Sequence, residues 1–367
     1  MKISRVKIKN FKSLKDVDIE LSNLNIFTGV NSSGKSSFIQ TLLLLKQNEN
    51  KFHTIDQNKK VSINDKYVKL GNKKDILFEE AFKEDIQISI FSDKVEYHLK
   101  FNTDNLDMAF ESNDFIFNEE DDFNLFYNCF QYISTNRITP TIFYALSDEE
   151  LEKNLIGFQG EYTAHYLATN RHKTILENLR HKDSKTSQLL ENVSLWLSEI
   201  SENIEVKAKV YEELQSVDLK YTYTYGKTTT QDYTPLNVGF GITYVLPIIT
   251  AILKAKEGDL IIIENPETHL HPKAQSQIAK LCALATANGI QIILETHSDH
   301  ILNGIRIATK ENILNPEQSK IYYLSREKDK LETKIDLITI DKNGGIDRYP
   351  KGFFDQFDED LNRLVIW

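Results

Sequence analysis

Cysteine is nearly missing from this chain, with Cys129 and Cys282 the two among 367 residues. Far apart and without neighbouring thiols, they exclude a disulfide framework and a cysteine-based zinc site. Apolar runs are short as well, none reaching the roughly 18 residues that a membrane span requires. The opening Met1-Lys-Ile-Ser-Arg-Val-Lys-Ile-Lys9 alternates apolar and basic residues where a secretory leader would carry an apolar core. Repeats, low-complexity tracts and heptads are missing too, which excludes a long coiled-coil arm from this stretch of chain. Positive charge is in deficit: 44 Lys and Arg against 54 Asp and Glu leave a formal net charge of −10. Such a surface, taken whole, does not advertise a polyanion partner. With 40% hydrophobic and 27% charged residues, the sequence reads as a soluble chain with a large core, expected in the cytoplasm and not in a membrane.

What is present is most specific at Gly29-Val-Asn-Ser-Ser-Gly-Lys-Ser-Ser37. This run follows the apolar Leu24 to Thr28 and leads into the apolar Phe38 to Leu45, so a strand, a glycine turn and a helix are expected in that order. G-x-x-x-x-G-K-S fixes four identities over eight positions. In a P-loop of this kind the turn aims several backbone N–H groups at one place, the helix adds the positive end of its dipole, and the two cradle the phosphates of a nucleotide. Asn31, Ser32, Ser33, Gly34, Lys35, Ser36 and Ser37 are therefore the expected ATP-binding residues, with Lys35 on the phosphates and Ser36 on Mg²⁺. The bland alternative is a glycine turn with an exposed lysine.

Along the chain, Ile3 to Ile8, Val17 to Leu21 and Leu24 to Thr28 read as strands. Short β-type runs such as Ile86 to Phe91 and Val95 to Phe101 follow, then a polar, acidic loop over Glu111 to Asp122. The pattern from Ala164 to about Ile204 is helical and free of proline, and it contains the basic run Arg171 to Lys185. That run is a solvated helical face or a nucleic-acid contact. Val217 to Tyr225 is a strand. The last third is α/β-like: helices over Leu246 to Leu253, Ala274 to Ala287 and Ile301 to Thr309 separate the strands Leu260 to Ile263 and Ile290 to Leu294. Unbroken β-branched runs suit strands covered on both faces, so a parallel sheet belongs in the core. The expected division is 1–72 and 231–367 as two parts of one nucleotide-binding head, with 73–230 as a β lobe and helical insertion.

Leu260-Ile-Ile-Ile-Glu264-Asn-Pro-Glu267 is a buried strand ending in carboxylates. It resembles a Walker B element, in which the strand-end acid holds the Mg²⁺ that bridges the terminal phosphates. Ile290-Gln-Ile-Ile-Leu-Glu295-Thr-His297-Ser298 repeats the design, and His297 there could touch the γ-phosphate and report its presence, although taken in isolation it reads as a satisfied structural histidine. Gly239-Phe-Gly241 before an apolar run is a further glycine turn at a helix start, able to offer amides to phosphate. An ordinary loop reads the same way.

Asn10-Phe-Lys-Ser-Leu14, the P-loop, Glu264 to Pro272 and Glu295-Thr-His-Ser298 together resemble the ABC/SMC-type AAA ATPases of the RecF and overcoming-lysogenization-defect (OLD) kind. Val68-Lys-Leu-Gly71, Tyr132 to Pro140, Val238-Gly-Phe-Gly-Ile242 with Leu246-Pro247, and Tyr349 to Phe354 resemble one poorly characterised bacterial subgroup of them. The resemblance implies an α/β P-loop NTPase fold, an ABC-type ATPase head with a mixed or parallel core sheet, an antiparallel β lobe and a helical insertion. It implies Lys12 and Ser13 near the adenine or phosphates, Glu264 as the Walker B acid and second Mg²⁺ ligand, and His297 as the switch histidine. It also places Asn237 to Ile242 at the signature loop, where Gly239 and Gly241 close over ATP held by a second subunit, making ATP the glue of a homodimer or higher oligomer.

Two positions depart from that pattern. The residue after Glu264, where these ATPases carry the acid that activates water, is Asn265, and an amide cannot act as general base; either Glu267 substitutes or hydrolysis is slow. The signature serine is missing, with Thr243 the nearest hydroxyl. No glutamine is assigned to the Q-loop, although Asn72 and Asp75 lie in that region. His269, His271, His297 and His300 offer a zinc alternative at H-x-H and H-x-x-H spacings. The function expected is an ATP-driven conformational switch in anti-phage defence or DNA repair, acting with a separate nuclease or toxin. That effector would bind through the aromatics Phe115, Phe117, Phe123, Phe126 and Tyr127 and the basic run of the middle region; the alternative is that these aromatics only close the core of their own lobe. The alternatives are a RecF-type DNA clamp without an effector and, with less in its favour, a transporter ATPase subunit.

Overall fold

The computed structural model describes residues 1–52, 59–112, 123–126 and 130–365. The chain divides into two compact units, one of Met1–Phe126, Ser319–Asp341 and Gly345–Trp367, the other of Tyr127–Gln318 and Lys342–Gly344. The boundaries expected at 72–73 and 230–231 fall within the first and second unit respectively.

The first unit begins with the strands β1 (Arg5–Phe11), β2 (Leu14–Glu20) and β3 (Leu24–Gly29) and the helices α1 (Lys35–Gln47) and α2 (Glu49–Phe52); β4 (Asp85–Phe91), β5 (Glu96–Asn102) and β6 (Met108–Ser112) follow. An antiparallel sheet runs in the order β2-β1-β4-β5-β6. Its strands alternate as one-sided sheets do: Val6, Ile8, Ile86, Ile88 and Ile90 are buried while Lys9 and Gln87 face out. β3 is different, buried from Leu24 through Thr28, as a strand covered on both faces must be. Helix α1 packs on it through Phe38, whose ring stacks on Phe27 with centroids 4.2 Å apart.

The second unit holds β7 (Phe130–Ile133), β8 (Phe143–Tyr144), α3 (Asp148–Glu152), α4 (Thr163–Asn170), α5 (Leu189–Ser198), β9 (Ile204–Tyr211), β10 (Ser216–Tyr225), β11 (Thr228–Thr229), α6 (Phe240–Lys254), β12 (Leu260–Glu264), α7 (Pro272–Ala287), β13 (Gln291–Glu295) and α8 (Asp299–Lys310). β7, β12 and β13 are parallel and in level register, Ile133 beside Ile263 and Glu264 beside Glu295. Their carboxyl ends therefore deliver three loops to one edge, the usual position of a site on parallel strands. β9 and β10 form a long antiparallel pair. The chain then returns to the first unit with β14 (Ser319–Ser325), β15 (Lys334–Ile338) and α9 (Gln356–Val365). β14 lies parallel to β3 and antiparallel to β15.

Two expectations need correction. Ala164 to Ile204 is not one helical stretch: α4 and α5 are separated by a non-α-helical segment that carries the basic run. Side-chain bonds to the backbone displace the helix there. The Glu191 carboxylate accepts the N–H groups of Lys185 and Thr186, Asn192 Oδ1 accepts that of His181, and Thr174 bridges Gln188. Second, of the two readings of the aromatics, Phe123 and Phe126 follow the core one and not the interface one. They pack with Tyr97 at 5.0 and 5.9 Å, and Phe126 with Phe52 at 5.9 Å. Phe115, Phe117, Tyr127 and most of the acidic stretch lie outside the described residues.

Candidate functional site

The P-loop set belongs to the first unit. β3 ends at Gly29, where φ is 139° and a Cβ would stand 2.0 Å from the Leu324 carbonyl oxygen of β14, so glycine alone fits. Gly34 (φ 105°) is the second obligatory glycine, since a Cβ there would lie 2.5 Å from Thr333 Oγ1. Helix α1 begins at the next residue without a side-chain cap. The positive end of its dipole points into the turn, the arrangement that attracts phosphate. Lys35 is buried and stretched across the loop, its Nζ donating to the carbonyls of Gly29 (2.9 Å) and Val30 (2.8 Å). Asn31, Ser32 and Ser36 are exposed, Ser37 is half-buried, and Ser33 is buried with a hydroxyl that no protein group satisfies.

Lys12 and Ser13, which close the β1–β2 hairpin, stand beside this loop. Lys12 takes a left-handed conformation (φ 51°), donates its N–H to Ile76 O at 2.8 Å and its Nζ to Gln40 Oε1 at 2.8 Å. Burial lowers its pKa, with Asp75 opposing. The Thr333 hydroxyl lies 2.8 Å from both Ser13 Oγ and the Ser33 carbonyl, and the Thr333 N–H donates to Ser13 O at 2.8 Å. Thr333 thus ties the hairpin to the P-loop, a role no local pattern announced from 300 residues away. A cavity of about 630 Å³ opens among these groups, lined by Lys12, Ser13, the P-loop, Lys74, Asp75 and Arg326. That volume suits a small-molecule ligand. Asp75 also holds the Asn72 N–H at 3.1 Å.

The carboxylate set belongs to the second unit, at the level ends of β7, β12 and β13. Glu264 Oε2 accepts both the backbone N–H (3.2 Å) and the hydroxyl (3.0 Å) of Thr135, and Asn265 Nδ2 donates to that hydroxyl at 3.1 Å. Asn265 sits at φ 43°, a left-handed conformation that asparagine tolerates far better than most residues. Its N–H donates to Glu295 O at 2.8 Å, and its Oδ1 is buried without a partner. Behind them Arg137 is fully buried. Its Nη2 donates to the carbonyls of Glu264 and Asn265, its guanidinium lies 5.8 Å from the Tyr244 ring, and its Nε and Nη1 find no acceptor. Burial lowers its pKa to about 10, against the attraction of Glu267. Burial, reinforced by Glu264, raises the Tyr132 phenol well above its ordinary value.

Glu267 Oε2 accepts the Thr296 hydroxyl and Oε1 the His297 N–H, each at 2.8 Å. Both oxygens are thus engaged in holding the end of β13. The His297 side chain is exposed, and Ser298 after it caps α8. Thr135 and Arg137 are the residues that sequence reasoning passed over, although they lie inside a segment that carries the family resemblance.

Gly239 and Gly241 open α6 and have different reasons to be glycine. A Cβ on Gly241 would lie 2.4 Å from the His269 carbonyl of the same unit, whereas one on Gly239 would meet nothing closer than Ile242 Cδ1 at 3.9 Å. Thr243 is buried and cannot stand in for an exposed signature serine. The histidines of the zinc alternative have separate occupations. His269 packs against Phe240 and Tyr244, and His271 caps α7 by accepting the Lys273 N–H. Among the described residues no group of three or more His, Cys, Asp or Glu is placed to hold a metal ion. Mg²⁺ needs few protein ligands, all of them oxygens. Ser36 and Glu264 supply that donor type, and the orphaned Ser33 hydroxyl inside a turn of amides is what a bound phosphate would satisfy.

A family model described as AAA ATPase domain matches residues 1–302, and one described as Protein of unknown function (DUF3696) matches 314–364. Endonuclease GajA of Bacillus cereus (strain VD045) is 38% identical over 71 residues, a match spanning 17% of this chain and 12% of that protein. Among solved structures, the SmcHead bound to the C-winged helix domain of ScpA aligns at a TM-score of 0.57 and 13% identity, covering 92% of this chain and 98% of that one. The Smc head domain with an extended coiled coil, bound to the C-terminal domain of ScpA derived from Pyrococcus furiosus, aligns at 0.51 and 12%, covering 100% of both. At these identities the likeness is one of fold, and the fold is the expected α/β P-loop ATPase head. No helix among the described residues is long and apolar enough to cross a membrane.

Proposed function

The chain belongs to the AAA ATPase domain family, and from that premise we propose that it binds and hydrolyses ATP with Mg²⁺ as a conformational switch of the RecF and OLD kind. One observation carries the reading: a buried Lys35 spans a P-loop whose two glycines admit no side chain, at the head of an uncapped helix. That turn binds phosphates by its amides and by Lys35. Lys12 and Ser13 line the same cavity and bind the rest of the nucleotide. Ser36 would hold Mg²⁺ at the P-loop, where the ion would supply charge neutralisation on the terminal phosphates, and Glu264 keeps the Walker B role that the resemblance implies. Thr135 and Asn265 orient Glu264, Arg137 offsets the strand-end carboxylates from below, and Glu267 aims His297. Without an acid at 265, turnover is slow, and binding itself is the main signal.

We place the protein in the cytoplasm, as a dimer closed by ATP with Gly239 facing the neighbour's phosphate, and region 73–230 as the contact for a separate effector. The relative named an endonuclease supports a nuclease as that effector and anti-phage defence as the setting. The test is purification from cells carrying the native gene neighbourhood, followed by assays for ATP turnover and nuclease activity. A co-purifying nuclease whose activity responds to ATP is the expected outcome. The chain running alone with nuclease activity of its own, or forming a salt-sensitive DNA complex with no effector, contradicts the proposal.

A further inference from the structure

A second cavity, of about 700 Å³, lies in the second unit where the end of α6 meets the segments around α3, α4 and the basic run. Asp259, on its wall, immediately precedes β12, and Glu264 ends that strand. The five residue steps from Asp259 to Glu264 put this cavity roughly 16 Å of strand away from the carboxylate set.

Its lining pairs two chemistries. Leu151, Ile175, Leu176 and Leu189 form an apolar wall, and Lys173, Lys254 and Lys256 bring three ammonium groups. Two of these converge on one ring, with Lys254 Nζ 5.7 Å and Lys173 Nζ 5.3 Å from the Tyr166 centroid. The ring is held in turn, since the Tyr166 hydroxyl donates to Asn154 Oδ1 at 2.6 Å. Asn154 O accepts one of the three N–H groups of Lys254, also at 2.6 Å. Two acids, Glu152 and Asp259, share the lining, but among the described residues none of the three lysines forms an ion pair, and Asp259 accepts the Lys256 backbone N–H at 2.9 Å. Three ammonium groups against two carboxylates leave an excess of positive charge at a partly buried surface, which is unfavourable unless an anion balances it. The pKa shifts agree in direction. Burial lowers Lys254, assisted by Lys173 and opposed by Asp259, and burial lowers Lys173, assisted by Lys256.

We propose that this cavity binds a small organic anion, an apolar or aromatic body lying on the leucine and isoleucine wall and carrying a phosphate or carboxylate to Lys173, Lys254 and Lys256. The volume lies in the range of small-molecule sites, and the mixed lining favours such a ligand over a bare inorganic ion. The inference is independent of the P-loop reading. It also gives Lys173, within the basic run, an occupation other than nucleic acid.

Isothermal titration of the full chain tests it, with phenyl phosphate as the probe and inorganic phosphate and benzoate as comparisons. Phenyl phosphate is expected to bind saturably and at least about tenfold more tightly than inorganic phosphate, with about tenfold losses in Lys254→Met and in Lys173→Gln. Lys35→Ala should leave that binding unchanged. Benzoate matching phenyl phosphate identifies a carboxylate ligand, and benzoate much weaker identifies a phosphate. Lys173 is exposed, so its variant remains informative where Lys254→Met fails to fold. No saturable binding by either organic probe, or binding lost in Lys35→Ala and intact in Lys173→Gln, overturns the inference; the second result would place the anion in the P-loop.

Discussion

The Glu267 carboxylate accepts the His297 backbone N–H at 2.8 Å, while its other oxygen accepts the Thr296 hydroxyl. A side chain so occupied is a positioning residue for His297 before it is a base. Glu267→Gln cannot accept at both ends, so ATP affinity should persist while turnover falls about tenfold, with the pH profile retained. A loss of about 100-fold or more together with the loss of the acidic limb would assign Glu267 the role of base instead. Unchanged turnover would remove it from the mechanism.

Asn265 occupies a left-handed position and donates to Thr135, which serves Glu264. Asn265→Glu loses that donor, adds a like charge beside Glu264 and strains the backbone. A loss of about 1–3 kcal/mol is expected in urea unfolding, without a gain in turnover. Asn265→Gly suits the conformation and should cost less. If Asn265→Glu proves as stable as the parent and hydrolyses ATP faster, the missing acid alone limits the reaction.

Gly241 answers to the His269 carbonyl of its own unit, and Gly239 to nothing nearby. Gly241→Val should therefore unfold more readily by about 2 kcal/mol or more, which makes it a poor probe of dimer closure. Gly239→Val should keep the monomer's stability yet weaken the dimer formed with non-hydrolysable ATP, read by light scattering. An undiminished ATP-dependent dimer in Gly239→Val would remove α6's first turn from the interface.

Lys254 gives a pH signature. Its pKa is lowered by burial from an ordinary 10.5 to about 8, so between those values the unfolded chain binds the extra proton. Stability should rise with pH across that window, by on the order of 2 kcal/mol, relative to Lys254→Met. Asp259, Lys173 and Tyr166 face the same group and are common to both proteins, so the difference isolates Lys254. Parallel pH profiles would show that the ammonium is not buried in solution.

The parts legible in sequence were those written locally. A glycine turn between an apolar strand and helix located the P-loop, and two apolar runs ending in Glu264 and Glu295 located parallel strands, because strands buried on both faces need such runs. What stayed hidden depends on contacts distant in sequence. Thr333 reaches Ser13 and Ser33 across 300 residues or more, and Arg137 reaches Glu264 across 127. The basic run reads as helical in sequence because helical spacing of apolar residues does not reveal that Glu191 and Asn192 bind the backbone before them. Phe123 and Phe126, set among acids in sequence, leave core and interface both open, and that Tyr97 encloses them is written only in the fold.

The central claim, that the Lys35 loop is the ATP site, is tested most directly by titrating Mg-ATP into the parent chain and into Lys35→Ala, with thermal unfolding of both as the control. Removing the ammonium takes away a phosphate contact but none of the packing of Phe38 on Phe27. Saturable binding by the parent, weakened about 100-fold or more in a variant that stays folded, is the predicted result. Equal affinity in the two proteins would contradict the assignment.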